Sequence, residues 1–332
     1  MLNKILFLIY GPHPFHKALA EALNSENTEI ISHKQNNLKK IVSYLFNILR
    51  GDFDKYDILL CEGNFLIPAL FKYLPLRPFK KKIINISADP NLYYLKINRI
   101  KPIKKYLMLK ALRNVDLFIC VGEMESLLLK EFFPEAKFIV VYPFIEEERY
   151  NRLLNLPIKK EFDHNILFIG NGPDWCSKGL DILIESFVEI KKIYNDANLY
   201  ILGSWDDKII KKFKFLGVYF CGFDDVCKYI EKSSLYLHLG RGEAFSISTL
   251  EALLGGIPAI VSEWTGVREI VREIREDFVV PLDVKKVVEK VLEYFSLSPN
   301  EKMELSLKAK NTGKRFEKNV VLKDFFKKLK TI

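Results

Sequence analysis

The stretch Gly242–Pro258, GEAFSISTLEALLGGIP, decides how this 332-residue chain is interpreted. It lies between two apolar runs that predict strands, and its residue order predicts a loop, a short helix, a glycine stop and the next strand. We expect Ser248 to cap the helix, Gly255 to end it in a left-handed conformation and Pro258 to prevent its continuation. The loop before the cap would then present free backbone N–H groups and a positive helix end to a phosphate.

Two carboxylates flank this predicted anion site. Glu243 lies in the loop and Glu251 in the predicted first helical turn, with seven residues between them. Such carboxylates can accept hydrogen bonds from sugar and ribose hydroxyls at the two ends of a phosphate site. Glu251 has an alternative interpretation, because Ser248 and Glu251 have the spacing of a capping box in which the glutamate only caps the helix. The residues alone leave both interpretations open.

The same stretch resembles the retaining glycosyltransferases of family 4, also called glycosyltransferase group 1, whose mark is two glutamates separated by seven residues. Residues 242–245 look like the E-G-F loop of that family, residues 250–253 like its L-E-A-M helix and residues 255–258 like its C-G-x-P turn. Residues 265–271, TGVREIV, resemble its G-G-x-x-E-I-V segment. The resemblance implies an α/β protein of the GT-B fold, in which two Rossmann-like, doubly wound parallel-sheet domains face a cleft.

Carried over to the matching positions, the resemblance also implies residue roles. Glu243 would contact the hydroxyls of the donor sugar as a catalytic residue, and Glu251 would hold the ribose hydroxyls of the nucleotide. The backbone of the loop would face the sugar, and the first N–H groups of the helix would hold the diphosphate. The residues that would make these backbone contacts are Phe245, Ser246, Ile247 and Ser248.

A second matching region lies upstream. Residues 168–171, FIGN, and residues 177–181, SKGLD, resemble the first strand of the family's C-terminal domain and its K-G-x-D element. In the family this lysine neutralises the departing diphosphate, whose charge grows as the glycosidic bond breaks. Lys178 is therefore a predicted catalytic residue, although without the family context it could be a solvated lysine before a helix. Asn171 stands where the family usually has an arginine, so one charge is missing from the predicted diphosphate site.

Three further positions are predicted from weaker matches. Gly222 and Phe223 follow a predicted strand and resemble the segment whose backbone touches the nucleobase. Gly11 lies in a loop that stands near donor and acceptor in the family. Asp89 is the predicted catalytic residue of the N-terminal half, where Ala88 replaces the histidine of many relatives. Asp89 could equally only initiate a turn before the following proline.

Short apolar runs alternate with helical stretches in both halves, which indicates parallel sheets covered by helices on both faces. We predict an N-terminal acceptor-side domain over residues 1–150 and a C-terminal nucleotide-sugar-binding domain over residues 151–313. An amphipathic helix over residues 314–332 would pack back on the N-terminal domain. We expect the charged passage 146–163 between the halves to be a loop.

The charge of the chain indicates an anionic partner. The formal net charge is +9, and residues 90–115 contain seven Lys and Arg residues and no Asp or Glu among aromatic and aliphatic residues. This stretch suits an anionic membrane surface or a lipid-linked acceptor, or else is a solvated basic face. Five cysteines without a C-x-x-C pair indicate reduced thiols, and no apolar run is long enough to span a bilayer. We expect a cytoplasmic protein, peripheral at most to the inner face of the membrane.

The sequence therefore predicts a retaining, metal-independent glycosyltransferase of the hexosyltransferase type. Its donor would be a UDP- or GDP-sugar, its acceptor a glycan or a lipid-linked molecule, and no cofactor or metal is expected because no Asp-x-Asp motif stands beside the phosphate site. Two alternatives stay open: a sugar-nucleotide epimerase of the same fold, and a non-catalytic nucleotide-sugar-binding protein, which Asn171 and Ala88 make conceivable. Nucleic acid is not an expected partner, since RNP, zinc and helix-turn-helix signatures are missing from the sequence.

Overall fold

The chain folds into two compact α/β units. The computed structural model describes residues 4–9, 14–23, 28–32, 50–62, 81–171 and 174–329. One unit consists of Met1–Pro143 with Val321–Ile332, and the other is Phe144–Val320. Each is built on a six-stranded parallel sheet, which confirms the fold class predicted from the alternation of strands and helices.

The strands of the first unit are β1 (Ile5–Ile9), β2 (Thr28–Ser32), β3 (Ile58–Glu62), β4 (Lys82–Ser87), β5 (Leu117–Cys120) and β6 (Phe138–Val140). Its described helices before the second unit are α1 (Pro14–Leu23), α2 (Asn91–Lys96), α3 (Pro102–Leu112) and α4 (Glu123–Phe132). The sheet order is β2-β1-β3-β4-β5-β6. All four residues of β5 are buried, as expected for a parallel strand covered on both faces.

The strands of the second unit are β7 (Asn165–Ile169), β8 (Asn198–Leu202), β9 (Val218–Gly222), β10 (Leu235–His238), β11 (Ala259–Ser262) and β12 (Val279–Val280). Its helices begin with α5 (Glu147–Leu154), α6 (Leu180–Ile193), α7 (Asp207–Lys212), α8 (Val226–Lys232) and α9 (Ile247–Leu254). They continue with α10 (Arg268–Ile274), α11 (Val284–Ser296), α12 (Pro299–Gly313) and α13 (Lys318–Leu329), and with 3-10 turns at Glu276–Phe278 and Lys314–Phe316. Helix α13 starts in this unit, and its residues from Val321 onward belong to the first unit.

The strand order of the second sheet reverses direction between β7 and β10. The order is β12-β11-β10-β7-β8-β9, so the chain leaves β7 toward β8 and later returns to β10 on the other side of β7. The loops that follow β7 and β10 therefore lie at neighbouring carboxyl ends of such a switch point, which is where open α/β sheets bind ligands. The second sheet thus places the loops of the two sequence motifs side by side.

Two local expectations were wrong or need adjustment. The passage 146–163 contains helix α5, because Tyr150 and Leu153 bury one side of a segment whose charge obscures its periodicity. The terminal helix begins only at Lys318, after a 3-10 turn.

All five cysteines are free thiols. Among the described residues, the structure contains no helix whose length and hydropathy would suit a membrane span.

Candidate active site

The loops after β7 and β10 approach each other so closely that one position must be glycine. Gly179, with φ of +72°, ends the loop after β7, and a Cβ atom there would lie 1.8 Å from the carbonyl oxygen of Leu239. Glycine alone tolerates both this conformation and this contact. The backbone N–H of Arg241 donates to the carbonyl of Ser177 over 2.8 Å, which joins the two loops directly.

An ion pair reinforces the contact between these loops. The guanidinium of Arg241 donates two hydrogen bonds of 2.7 Å to the carboxylate of Asp181, at the start of α6. Bidentate pairs of this kind fix geometry as well as contributing energy. The loop that carries Lys178 is therefore held against the loop that carries Glu243.

Lys178 and Glu243, predicted separately from two motifs, are in direct contact. Lys178 Nζ donates to Glu243 Oε1 over 2.9 Å, and the two side chains are 30% and 19% exposed. The imidazole of His238, only 1% exposed, places its Nε2 2.5 Å from the other carboxylate oxygen. Burial opposes ionisation of Glu243, but electrostatic attraction and hydrogen bonds from His238 and Lys178 outweigh it and lower the pKa from 4.5 to about 2. Glu243 is an anion that holds the lysine in place.

The start of α9 differs from the sequence prediction. The cap is Ser246, whose hydroxyl accepts the N–H of Thr249, whereas Ser248 is the second residue of the helix. The Ser248 hydroxyl instead lies 2.8 Å from the Tyr236 hydroxyl. The capping-box interpretation of Glu251 is therefore wrong. The left-handed position after the helix was also misplaced, since Gly255 is right-handed and the following glycine has φ of +89°.

Glu251 lies on α9 beyond its first turn, and its carboxylate oxygens can accept further hydrogen bonds. Within the described part of the chain its carboxylate makes no hydrogen bond. Burial raises its pKa, the charge of Arg149 partly opposes the rise, and the like charge of Glu146 adds to it. A partly buried carboxyl without a donor is suited to accept hydrogen bonds from the hydroxyls of a ligand.

The remaining predicted positions of the second unit lie around the same edge of the sheet. Asn171 is exposed just after β7, and Phe245 and Ile247 are half-buried beside Ser246. Gly222 ends β9 with φ of +66°, and the Phe223 side chain next to it is 78% exposed.

The two other predicted positions, Asp89 and Gly11, belong to the first unit. Asp89 follows β4, and its Oδ1 accepts the N–H of Asn91 over 3.0 Å, so the predicted turn is present. Burial raises the pKa of this carboxyl. Gly11 lies outside the described residues.

Three side chains of this site were not found from the sequence: Tyr236, His238 and Arg241. Tyr236 and His238 alternate along β10 and so point to one face of the sheet. The only available signal was two polar rings in an otherwise aliphatic run. Asp181 is the aspartate of the K-G-x-D element, but its pairing with Arg241 was not predicted, because sixty positions separate the two residues.

Comparison with known proteins agrees with the local geometry. The family model described as "Glycosyl transferases group 1" matches residues 163–296, a segment that contains Lys178, Glu243 and Glu251. This segment is therefore similar to the group 1 glycosyltransferases. The resemblance read from the motifs is thereby confirmed for this segment.

Similarity to known proteins extends beyond this matched segment. An uncharacterized glycosyltransferase of Methanocaldococcus jannaschii is 24% identical over 276 residues, which cover 75% of this chain and 68% of that protein. Sucrose-phosphate synthase from Thermosynechococcus elongatus has a similar structure, with a TM-score of 0.72, 14% identity and coverage of 99% of this chain and 98% of that one. HepE of Anabaena, in complex with UDP and glucose, has a TM-score of 0.71 at 14% identity, with 99% and 100% covered. The fold is that of the GT-B glycosyltransferases.

Proposed function

We propose that this protein transfers a sugar from a UDP- or GDP-sugar to an acceptor hydroxyl with retention of anomeric configuration. The observation that carries the proposal is the contact between Lys178 and Glu243 at the switch point between β7 and β10. A cation for a diphosphate and an anion for sugar hydroxyls are thus adjacent, as transfer from a nucleotide sugar requires. The match to the group 1 glycosyltransferase family supports the same class of reaction.

In this proposal the positively charged groups bind the diphosphate and the carboxylates bind hydroxyls. Lys178 and the first N–H groups of α9, at Ile247 and Ser248, would bind the diphosphate and stabilise the negative charge that grows on it as the glycosidic bond breaks. Glu243 would accept hydrogen bonds from the sugar, and Glu251 from the ribose. The acceptor hydroxyl would attack from the face that the diphosphate leaves. The proposal requires neither a metal ion nor an organic cofactor.

Two further positions complete the proposed donor site. Asn171 supplies no charge where the resemblance to family 4 implies an arginine, so Lys178 and the helix end would bind the diphosphate together. The backbone at Gly222 and Phe223 would contact the base. We propose Asp89, in the first unit, as a further contact to sugar or acceptor, together with the loop of Gly11.

The acceptor is proposed to be lipid-linked or a glycan at a membrane surface, for which α3 provides a candidate contact. Ile103, Tyr106 and Leu107 follow the i, i+3, i+4 spacing of one helix face and are 79%, 67% and 43% exposed. Three neighbouring lysines, Lys101, Lys104 and Lys110, make neither an ion pair nor a side-chain hydrogen bond with described residues, whereas Lys105 donates to the Asn98 amide oxygen. Exposed apolar side chains ringed by unpaired cations suit an anionic lipid surface, which would place the enzyme at the cytoplasmic face of the membrane.

The donor assignment can be tested by a thermal-shift and hydrolysis screen against UDP-, GDP-, ADP- and dTDP-sugars. Stabilisation by one nucleotide class, with release of its diphosphate and loss of both effects in Glu251→Ala, would support the proposal. Stabilisation without turnover would identify a non-catalytic binder, and a change of sugar configuration without diphosphate release an epimerase. The anomeric configuration of the transferred sugar, read by NMR, would test retention.

A further inference from the structure

A chain of hydrogen-bonded side chains, here called the line, starts at Glu243 and continues through His238, Tyr236 and Ser248. On the far side of its contact with Glu243, the His238 ring places Nδ1 3.3 Å from the Tyr236 hydroxyl. That hydroxyl is 2.8 Å from Ser248 Oγ, which is 3.1 Å from the hydroxyl of the helix cap. The line therefore connects the glutamate of the sugar end to the first turn of α9.

The residues of this line occupy buried positions where apolar side chains would be enough to pack the sheet. Tyr236 is fully buried and His238 nearly so, in the centre of a parallel sheet. Burying polar groups costs free energy unless each is hydrogen-bonded, and here every link has a partner. The ring of Phe168 stacks on His238 at 5.6 Å between centroids, so the imidazole orientation is fixed by packing as well. The arrangement is ordered along its whole length.

We propose that His238 and Tyr236 are positioning residues that fix Glu243 and Ser248 relative to each other, so that the sugar end and the phosphate end of the donor site form one connected unit. The inference rests on the proposed donor site. Neither residue touches the donor; each acts through a group that does. The specific role of His238 is to orient the Glu243 carboxylate toward Lys178, and that of Tyr236 is to hold the Ser248 hydroxyl.

The donor and acceptor of each hydrogen bond in the line depend on the groups at its ends. An ionised Glu243 only accepts, so His238 Nε2 must carry a proton. In neutral His238 the Nδ1 atom accepts from the Tyr236 O–H, whereas in the protonated ring Nδ1 donates and the Tyr236 proton turns to Ser248 or to the carbonyl of Ile169, 3.4 Å away. Burial raises the pKa of Tyr236, which stays a neutral hydroxyl.

Conservative variants of His238 and Tyr236 can distinguish a role in positioning the donor site from a role in folding. His238→Gln can keep a donor near Glu243, His238→Leu removes it, and Tyr236→Phe removes one hydroxyl. The matched control is Tyr294→Phe, which removes a buried hydroxyl that donates to the Ser234 carbonyl elsewhere in the same unit. We expect His238→Leu to lower kcat/KM roughly 10- to 100-fold and His238→Gln to recover most of it, since hydrogen bonds to charged groups are the stronger class. Tyr236→Phe should weaken donor binding and shift the pH profile, and the control should do neither.

A measurement without turnover tests the contacts themselves. The imidazole proton of His238, assigned by its loss in His238→Gln, should resonate far downfield in wild type and move upfield in Glu243→Gln. Normal kinetics in His238→Leu and Tyr236→Phe, with wild type active, would overturn the positioning role. Absence of the downfield proton in folded wild type would overturn the line itself. If wild type binds no nucleotide sugar while that proton is present, the proposed function fails and the positioning role, which depends on it, fails with it.

Discussion

At the scale of single residues, Glu243 has two carboxylate oxygens with different partners, Lys178 and His238. Glu243→Gln keeps the shape and removes the charge. We expect turnover of the best nucleotide sugar to fall by roughly 10- to 100-fold, because a charged acceptor is replaced by a neutral amide. Steady-state kinetics of the variant measure this. Glu185→Gln, exposed on α6, should behave like wild type, and equal activity of both variants would show that Glu243 has no role in transfer.

The same substitution has a pH-dependent effect on stability. The pKa of Glu243 is lowered to about 2 in the folded state from 4.5, so its ionisation stabilises the fold above pH 4.5 and this contribution is lost as the pH falls toward 2. We expect wild type to exceed Glu243→Gln in free energy of unfolding by about 1 to 3 kcal/mol at pH 6. Urea denaturation at pH 6 and pH 3 measures the difference, which should shrink at the lower pH. A difference that stays constant would contradict the assigned shift.

Glu125 presents the opposite case in the first unit. It is fully buried, its Oε2 accepts from Ser87 over 2.8 Å, and burial raises its pKa to about 8 despite this hydrogen bond. Stability is thus retained below pH 4.5 and lost as the pH rises toward 8. We expect Glu125→Gln to gain on the order of 2 to 4 kcal/mol over wild type between pH 4.5 and 7.5. Denaturation across this range checks the trend, and the exposed control Glu135→Gln should show none.

The sequence predicted candidate residues of this site only where a local motif marked them. Glu243, Glu251 and Lys178 each stand in a short stretch whose spacing has a chemical meaning. Their neighbours His238 and Tyr236 could not be predicted, because their partners are brought together by the order of strands and not by spacing along the chain. The direct contact of Lys178 with Glu243 was equally invisible, since sixty-five positions separate them.

At the scale of elements, the approach of α10 to the loop after β10 depends on Gly266. Its N–H donates to the Glu243 carbonyl over 2.8 Å, and a Cβ atom would lie 1.7 Å from the carbonyl oxygen of Ala244. We expect Gly266→Ala to cost about 1 to 3 kcal/mol of stability and to weaken donor binding, because the loop must move. Calorimetry measures both. Gly256→Ala, which strains the left-handed turn after α9, should lower stability while leaving the donor Kd unchanged.

The alternation of short apolar runs with helical stretches predicted a parallel sheet in each half, because a buried parallel strand is a short apolar run with little ambiguity. Helix boundaries were harder. Two serines at the start of α9 compete for the cap, and only the packing of Ser248 against Tyr236 selects Ser246. Helix α5 was missed because its few buried residues lie among charged ones.

At the scale of the whole molecule, the net charge of +9 and the exposed face of α3 predict binding to anionic lipid. We expect cosedimentation with vesicles containing phosphatidylglycerol but not with pure phosphatidylcholine, and weaker binding at high salt. The triple change Lys101→Glu, Lys104→Glu and Lys110→Glu should abolish it.

The matched control makes the same change of net charge elsewhere, at three exposed lysines: Lys285→Glu, Lys308→Glu and Lys323→Glu. It should retain binding to the anionic vesicles. An equal loss of vesicle binding in both triple variants would show that binding depends only on net charge, and it would contradict a specific binding surface on α3.

The ion pair between Lys178 and Glu243 has a consequence for turnover, if a donor binds as proposed. Because Lys178 and Glu243 already bind each other, a ligand must exchange partners with both. An intact nucleotide sugar offers a phosphate to the lysine and hydroxyls to the glutamate, whereas the nucleoside diphosphate product offers only phosphates, so that Glu243 would lose Lys178 and keep His238 as its partner. Re-formation of the pair would then help to expel the product, so that competitive inhibition by the free nucleotide would be weaker than its shared contacts suggest.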